Sequence, residues 1–220
     1  MTNKKILIPI IVLICGALIF FSVPFIMEIM TADKLARQKI IVENVRAHFA
    51  KLTIYGEGEK ELPLFDIRNP QGEVVSLSSI LSRDGFVLLN LWATWCPPCI
   101  NELPSLQALS KEENKKGVKL FVKGLSLDQN VSHADLGGFL KRHQIGSFAH
   151  YQDHTNALIK TYSVPAMPTT LLVDNKGYVR AEFLGDADWT NSEIKAFLED
   201  FVTISLESNK YKFLTNFWQS

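Results

Sequence analysis

Hydrophobic and polar positions divide the chain into three stretches of different periodicity. The first has none: Ile6 to Met27 is a run of 22 residues without a charge, with Lys4 and Lys5 before it and Glu28 after it. A helix needs about 20 apolar residues to cross a hydrocarbon core. The apolar part of a cleavable signal peptide is shorter, about 7–15 residues. Met30-Thr31-Ala32 also puts a bulky residue where a cleavage site needs a small one. The expectation is an uncleaved transmembrane signal anchor over residues 1–30, with Cys15 inside it as a small apolar residue. In the second stretch the apolar positions take a helical spacing. Leu35, Val42 and Phe49 are seven apart, and Val45 and Leu52 follow the last two at the matching offset of three. This predicts an amphipathic stalk helix from Ala32 to Leu52. Gly56-Glu57-Gly58-Glu59 breaks the pattern, so residues 31–58 read as stalk and linker.

In the third stretch, residues 59–205, strand and helix patterns alternate. Leu62 to Ile67 and Val74 to Leu77 read as strands around an Asn69-Pro70-Gln71-Gly72 turn. Phe86 to Trp92 is a nearly continuous apolar run, as expected of a strand buried on both faces. A helix is expected from Pro97 to about Lys116, a strand from Val118 to Leu127, and a helix from Ser132 to His143 capped by Ser132. A short helix follows at Asn156 to Tyr162. Thr169 to Val173 and Val179 to Leu184 read as a hairpin turning at Asp174-Asn175-Lys176-Gly177. A helix from Ser192 to about Ser205 closes the domain, leaving residues 206–220 as a C-terminal tail. Together these elements predict an α/β fold with a central mixed sheet flanked by helices.

Composition narrows the function classes. The 220 residues carry 23 basic and 23 acidic side chains, a formal charge of zero, so no basic footprint for nucleic acid stands out. An apolar fraction of 47% with 21% charged residues is that of a globular chain rather than a disordered one. Three cysteines are too few for a disulfide-stapled miniprotein.

Two of those cysteines stand as Cys96-Pro97-Pro98-Cys99, just past the buried strand and at the opening of a helix. The unsatisfied N–H groups and positive dipole end of that helix favour a thiolate at Cys96. Cys99, one turn on, can attack a mixed disulfide formed on Cys96, so the pair can cycle by thiol–disulfide exchange without a cofactor. Pro97 suits the first helical position, where its missing N–H is no loss. The competing reading is half of a zinc site, which needs about four ligands. The third cysteine lies in the apolar run, and His48, His133, His143, His150 and His154 form no second ligand pair. No metal is expected. Neither Pro97 nor Pro98 can donate a hydrogen bond to the Cys96 sulfur, and no cation stands between the cysteines. A less stabilised thiolate means a lower reduction potential, hence a reductant.

The string Leu88-Leu89-Asn90-Leu91-Trp92-Ala93-Thr94-Trp95-Cys96-Pro97-Pro98-Cys99, with Glu102-Leu103-Pro104 behind it, resembles the active-site segment of membrane-anchored thioredoxins of the TlpA/ResA type. Pro165-Ala166-Met167-Pro168-Thr169-Thr170 resembles that family's cis-proline segment. The resemblance spans about Glu61 to Phe201. With Ala187-Asp188-Trp189 it is nearest to the proteobacterial TlpA proteins.

The resemblance implies a thioredoxin fold held by a single-pass anchor in the inner membrane, with its domain in the periplasm. Cys96 matches the nucleophile and Cys99 the resolving cysteine. Pro168 matches the cis-proline, and Trp95, Pro97, Met167 and Pro168 make the substrate-facing set. Glu102 matches a buried acid that manages protons around the dithiol; the alternative is an ordinary helix-surface glutamate. Asn90 stands where thioredoxin itself has an aspartate.

The implied partners are extracytoplasmic proteins with oxidised cysteines, of copper-chaperone or oxidase copper-subunit type, and a membrane electron donor of thiol-reductant type. The ResA and CcmG relatives instead imply haem-attachment cysteines in cytochrome c biogenesis. Two further readings compete. A copper metallochaperone could use the cysteines as soft ligands, but the only methionine after Met30 is Met167. A peroxide-reducing enzyme on the same fold would have a lone reactive cysteine in place of an exchange pair.

Overall fold

The computed structural model describes residues 39–81, 84–112 and 119–217. The expected membrane span, Cys15 and the first part of the expected stalk lie outside these residues. Among the described residues, no helix is long and apolar enough to cross a membrane. The chain divides into two units, Met1–Glu43 and Asn44–Ser220, and the features below belong to the second, apart from residues 39–43 of the first helix.

The described strands are β1 (Lys51–Ile54), β2 (Asp66–Arg68), β3 (Val74–Ser76), β4 (Phe86–Trp92), β5 (Leu120–Ser126), β6 (Tyr151–Gln152), β7 (Thr169–Val173) and β8 (Val179–Leu184). They form one sheet in the order β1-β8-β7-β4-β5-β6-β2-β3. The described helices are α1 (39–46), α2 (Pro97–Ser110), α3 (His133–Arg142), α4 (Ala157–Tyr162) and α5 (Ser192–Phe217). β4 pairs parallel to β5 and antiparallel to β7, so the sheet is mixed.

All seven β4 residues are buried, as their near-continuous apolar character requires. Alternation along the strand sends them to two layers. Val87, Leu89 and Leu91 join a core with Leu77 and Ile80 of a 3-10 turn and with Leu158 and Tyr162 of α4. Phe86, Asn90 and Trp92 face the other way. Phe86 meets Phe201 of α5, Asn90 bonds to Glu102 of α2, and Trp92 lies against Phe139 of α3. Helices thus cover both faces. Each fully buried Leu or Val here contributes about 1.5–3 kcal/mol.

The fold departs from the sequence expectation at several edges. The helical stripe does not run to Leu52: α1 ends at residue 46 and Lys51–Ile54 is an edge strand on β8. Three residues of the apparent stripe, Val45, Phe49 and Leu52, belong instead to the domain core. Val45 and Leu52 are buried, and Phe49 packs on Phe183 and Trp189 with ring centroids 4.9 and 5.4 Å apart. The segment Leu62–Phe65 makes no strand, because Pro63 lacks the N–H a ladder needs; only Glu61 bridges, to Tyr178. α2 ends at Ser110 instead of near Lys116. α5 continues to Phe217 through residues expected as tail, a stretch with no Gly or Pro to stop it.

Candidate active site

The turn after β4 presents the dithiol. Cys96 donates its N–H to the Ala93 carbonyl at 3.2 Å, closing the turn. Cys96 is the N-cap of α2, in extended conformation, and Pro97 takes the first helical position. The Cys96 sulfur accepts the Cys99 N–H at 3.3 Å. This is the donor that the two prolines leave available. The two sulfurs are joined as a disulfide, with Cα atoms 5.3 Å apart. Cys96 keeps 4% exposure and Cys99 none, so an incoming thiolate reaches Cys96. Trp95 beside it is 66% exposed, and Pro97 is exposed.

Pro168 stands at the same end of the sheet. The Met167–Pro168 peptide bond is cis. Thr169, the next residue, pairs with Leu91 of β4, five residues before Cys96. The Pro168 carbonyl accepts the Gly185 N–H at 3.0 Å. Among the described residues, no hydrogen bond engages the backbone N–H or C=O of half-buried Met167.

Glu102 is not the helix-surface residue of the alternative reading: it is 2% exposed. Its Oε1 accepts from Asn90 Nδ2 at 2.8 Å. Its Oε2 accepts from Trp189 Nε1 at 2.8 Å and from the Ala187 N–H at 3.4 Å. Burial pushes the carboxyl up to about 7, while the Trp189, Asn90 and Ala187 donors hold it back. Asn90 also donates to Thr170 Oγ1 at 2.9 Å, so Thr170 belongs to the same cluster. A group titrating near neutrality beside a dithiol can both take and return a proton.

The structure therefore gathers Cys96, Cys99, Trp95 and Pro97 on one turn, with Met167 and Pro168 at the neighbouring strand's entry. It sets Glu102 behind them in a polar cluster. Sequence reasoning missed how that cluster is built. Asn90 gave a signal, as the polar residue in the apolar run FVLLNLW. Trp189 gave none for this contact, 87 residues from Glu102.

A disulfide at a helix N-terminus, with one approachable sulfur and an unpaired backbone edge nearby, is built for thiol–disulfide exchange. Known proteins match on the same ground. Residues 59–182, more than half of the chain, match the AhpC/TSA family. The thiol-disulfide oxidoreductase ResA of Bacillus thuringiensis subsp. konkukian is 30% identical over 140 residues, covering 64% of this chain and 76% of that protein. A solved thiol-disulfide oxidoreductase from Bacteroides fragilis is 26% identical, with a TM-score of 0.51 over 65% of this chain and 100% of its own. A secreted thiol-disulfide isomerase from Corynebacterium glutamicum, at 22% identity and a TM-score of 0.53, shares the fold over 69% of this chain and 93% of its own.

Fold and site together define a thiol–disulfide oxidoreductase of thioredoxin-like α/β architecture. The chain belongs to the AhpC/TSA family, and ResA-type oxidoreductases are its homologues.

Proposed function

We propose that the chain is a membrane-anchored reductase of extracytoplasmic protein disulfides, acting in the periplasm on copper-handling proteins of cytochrome oxidase assembly. In the reduced enzyme, the Cys96 thiolate attacks a client disulfide. A mixed disulfide forms and one client thiolate leaves. The Cys99 thiolate then attacks the Cys96 sulfur, and the second client thiol leaves. Two electrons pass to the client, and the Cys96–Cys99 disulfide remains for a membrane thiol reductant to reduce. Glu102 takes the proton that Cys99 must lose before it attacks. The exposed Trp95 ring and Pro97 meet the client beside the reacting sulfur. The unpaired Met167 backbone, next to Pro168, offers an extended client segment a strand to pair with.

The observation that carries the direction of transfer is the sparse support of the Cys96 sulfur, which among the described residues accepts a single N–H, at 3.3 Å. A poorly stabilised thiolate gives up electrons readily. The copper assignment rests on the likeness of Leu89–Cys99 and Ala166–Thr169 to TlpA proteins. A client's cysteines must be reduced before they can bind metal, because a disulfide offers no thiolate. A second reading, reduction of haem-attachment cysteines in cytochrome c biogenesis, draws support from the ResA homologues.

Cys99→Ser in the full chain removes the resolving thiol, so mixed disulfides should accumulate and can be identified by mass spectrometry from membranes. Copper-site proteins are the expected catch. Apocytochrome c or haem-handling proteins alone would move the assignment to the second reading. No mixed disulfide, together with tight Cu(I) binding by the purified protein, would make it a metallochaperone.

A further inference from the structure

We propose that Asp128 is a positioning residue of the dithiol site, its buried carboxylate bracing the turn that presents Trp95 and Cys96. Asp128 lies two residues past the end of β5 and is 1% exposed. Both of its oxygens hold Thr94, which stands two residues before Cys96. Oδ2 accepts the Thr94 N–H at 2.9 Å, and Oδ1 accepts the Thr94 hydroxyl at 2.8 Å. The Ser126 hydroxyl donates to Oδ2 at 2.8 Å. The brace is itself anchored in the sheet. The Asp128 N–H donates to Ser126 Oγ at 3.1 Å, and Gln152 of β6 donates to the Asp128 carbonyl at 3.2 Å.

Among the described residues, no ion pair neutralises this carboxylate. A buried carboxylate without a counter-ion is costly unless donors surround it. Here the donors belong chiefly to the active-site turn. Trp92 already ties the start of that turn to the stretch that follows β5, its carbonyl accepting the Leu127 N–H at 2.8 Å. Asp128 ties its middle, and the N-cap of α2 is its end. The Cys96 sulfur depends on one N–H at 3.3 Å. A turn free to rotate at Thr94 would carry the sulfur away from that donor and from the helix terminus. Holding Thr94 at two points thus sets where the reacting sulfur lies and how well its thiolate is supported.

The proposal rests on Cys96 being the attacking thiol, and its test separates the two claims. The reduced full chain is alkylated with iodoacetamide across a pH series, and the modified cysteine is mapped by mass spectrometry. Wild type is compared with Asp128→Asn, Thr94→Val and Thr94→Ser, with thermal melts confirming the fold. Losing a well-placed hydrogen bond should slow Cys96 alkylation at neutral pH about tenfold in Asp128→Asn and about threefold in Thr94→Val. In both, the pH midpoint should rise, and Thr94→Ser should behave as wild type. The sign is decisive, because removing a nearby negative charge without disturbing the turn would lower the midpoint. An unchanged or lowered midpoint in folded Asp128→Asn would overturn the proposal. So would a Thr94→Val profile that matches wild type, and that comparison decides alone if Asp128→Asn does not melt cooperatively. Should Cys99 in the wild type be the first thiol modified, the assignment of Cys96 fails and the brace fails with it.

Discussion

A carboxyl group as deeply buried as Glu102 titrates near neutrality because little water reaches it to stabilise the charge. Three donors oppose that effect, and removing one should be visible. Trp189→Phe keeps the ring and deletes the 2.8 Å bond to Oε2. The carboxylate then loses support, and its pKa should climb from about 7 by about one unit. The pH profile of exchange with a small disulfide should follow it upward. Glu102→Gln should remove the inflection near neutrality altogether. Profiles that coincide with wild type in both variants would leave Glu102 a purely structural residue. At this scale the disulfide pair and the cis-proline were legible because their signals are local. Cys96, Cys99 and Pro168 sit in short strings whose spacing carries the chemistry. The environment of Glu102 was not legible, since its partners lie 12 and 87 residues away and only the sheet brings them together.

The elements depend on a few side chains that close their ends. α4 has only six residues, too short to form without help. Asp153, fully buried, supplies that help. Its Oδ1 accepts from the Thr155 N–H, the Thr155 hydroxyl and the Ala157 N–H at 3.2, 2.9 and 3.1 Å. Its Oδ2 accepts the Leu158 N–H at 2.9 Å. Asp153→Ala leaves those donors without partners, and denaturant unfolding should show a loss of about 2 kcal/mol or more. A loss under about 0.5 kcal/mol, the range of a surface change, would mean that packing of Leu158 and Tyr162 holds α4 unaided. Among the elements, β4 and the β7–β8 hairpin could be read directly, from a buried apolar run and an Asn-Lys-Gly turn. β6 could not. It has two residues, and pairing with β5 and β2 makes it a strand. β1 was hidden because Leu52 continues the helical stripe of Val45 and Phe49 while Thr53 and Ile54 favour a strand.

Across the whole molecule, two titrating groups, Glu102 buried and His133 half-buried, pull stability in opposite directions with pH. Glu102 has a folded pKa of about 7 against an ordinary 4.5. The folded state therefore keeps its proton longer than the unfolded state. This contribution is complete below pH 4.5 and is lost as pH rises to about 7, a change of about 3 kcal/mol. His133 is lowered from 6.5, first by burial and then by His150, whose ring stacks on it with centroids 4.1 Å apart. Protonating it favours the unfolded chain, so its contribution falls as pH drops below 6.5. Urea unfolding of the oxidised protein should show wild-type stability declining from pH 6.5 to 7.5. Glu102→Gln should show no such decline and should gain stability from pH 5 to 6.5. Parallel curves for the two proteins would contradict the assignment of the slope to Glu102. The proposed reductase must carry a dithiol that gives electrons away. The most direct measurement is the equilibrium reduction potential of the Cys96/Cys99 couple in the full chain. One N–H on the Cys96 sulfur predicts a value below about −200 mV, on the thioredoxin side of known couples; a value near about −120 mV, that of a strong oxidant, would contradict the account.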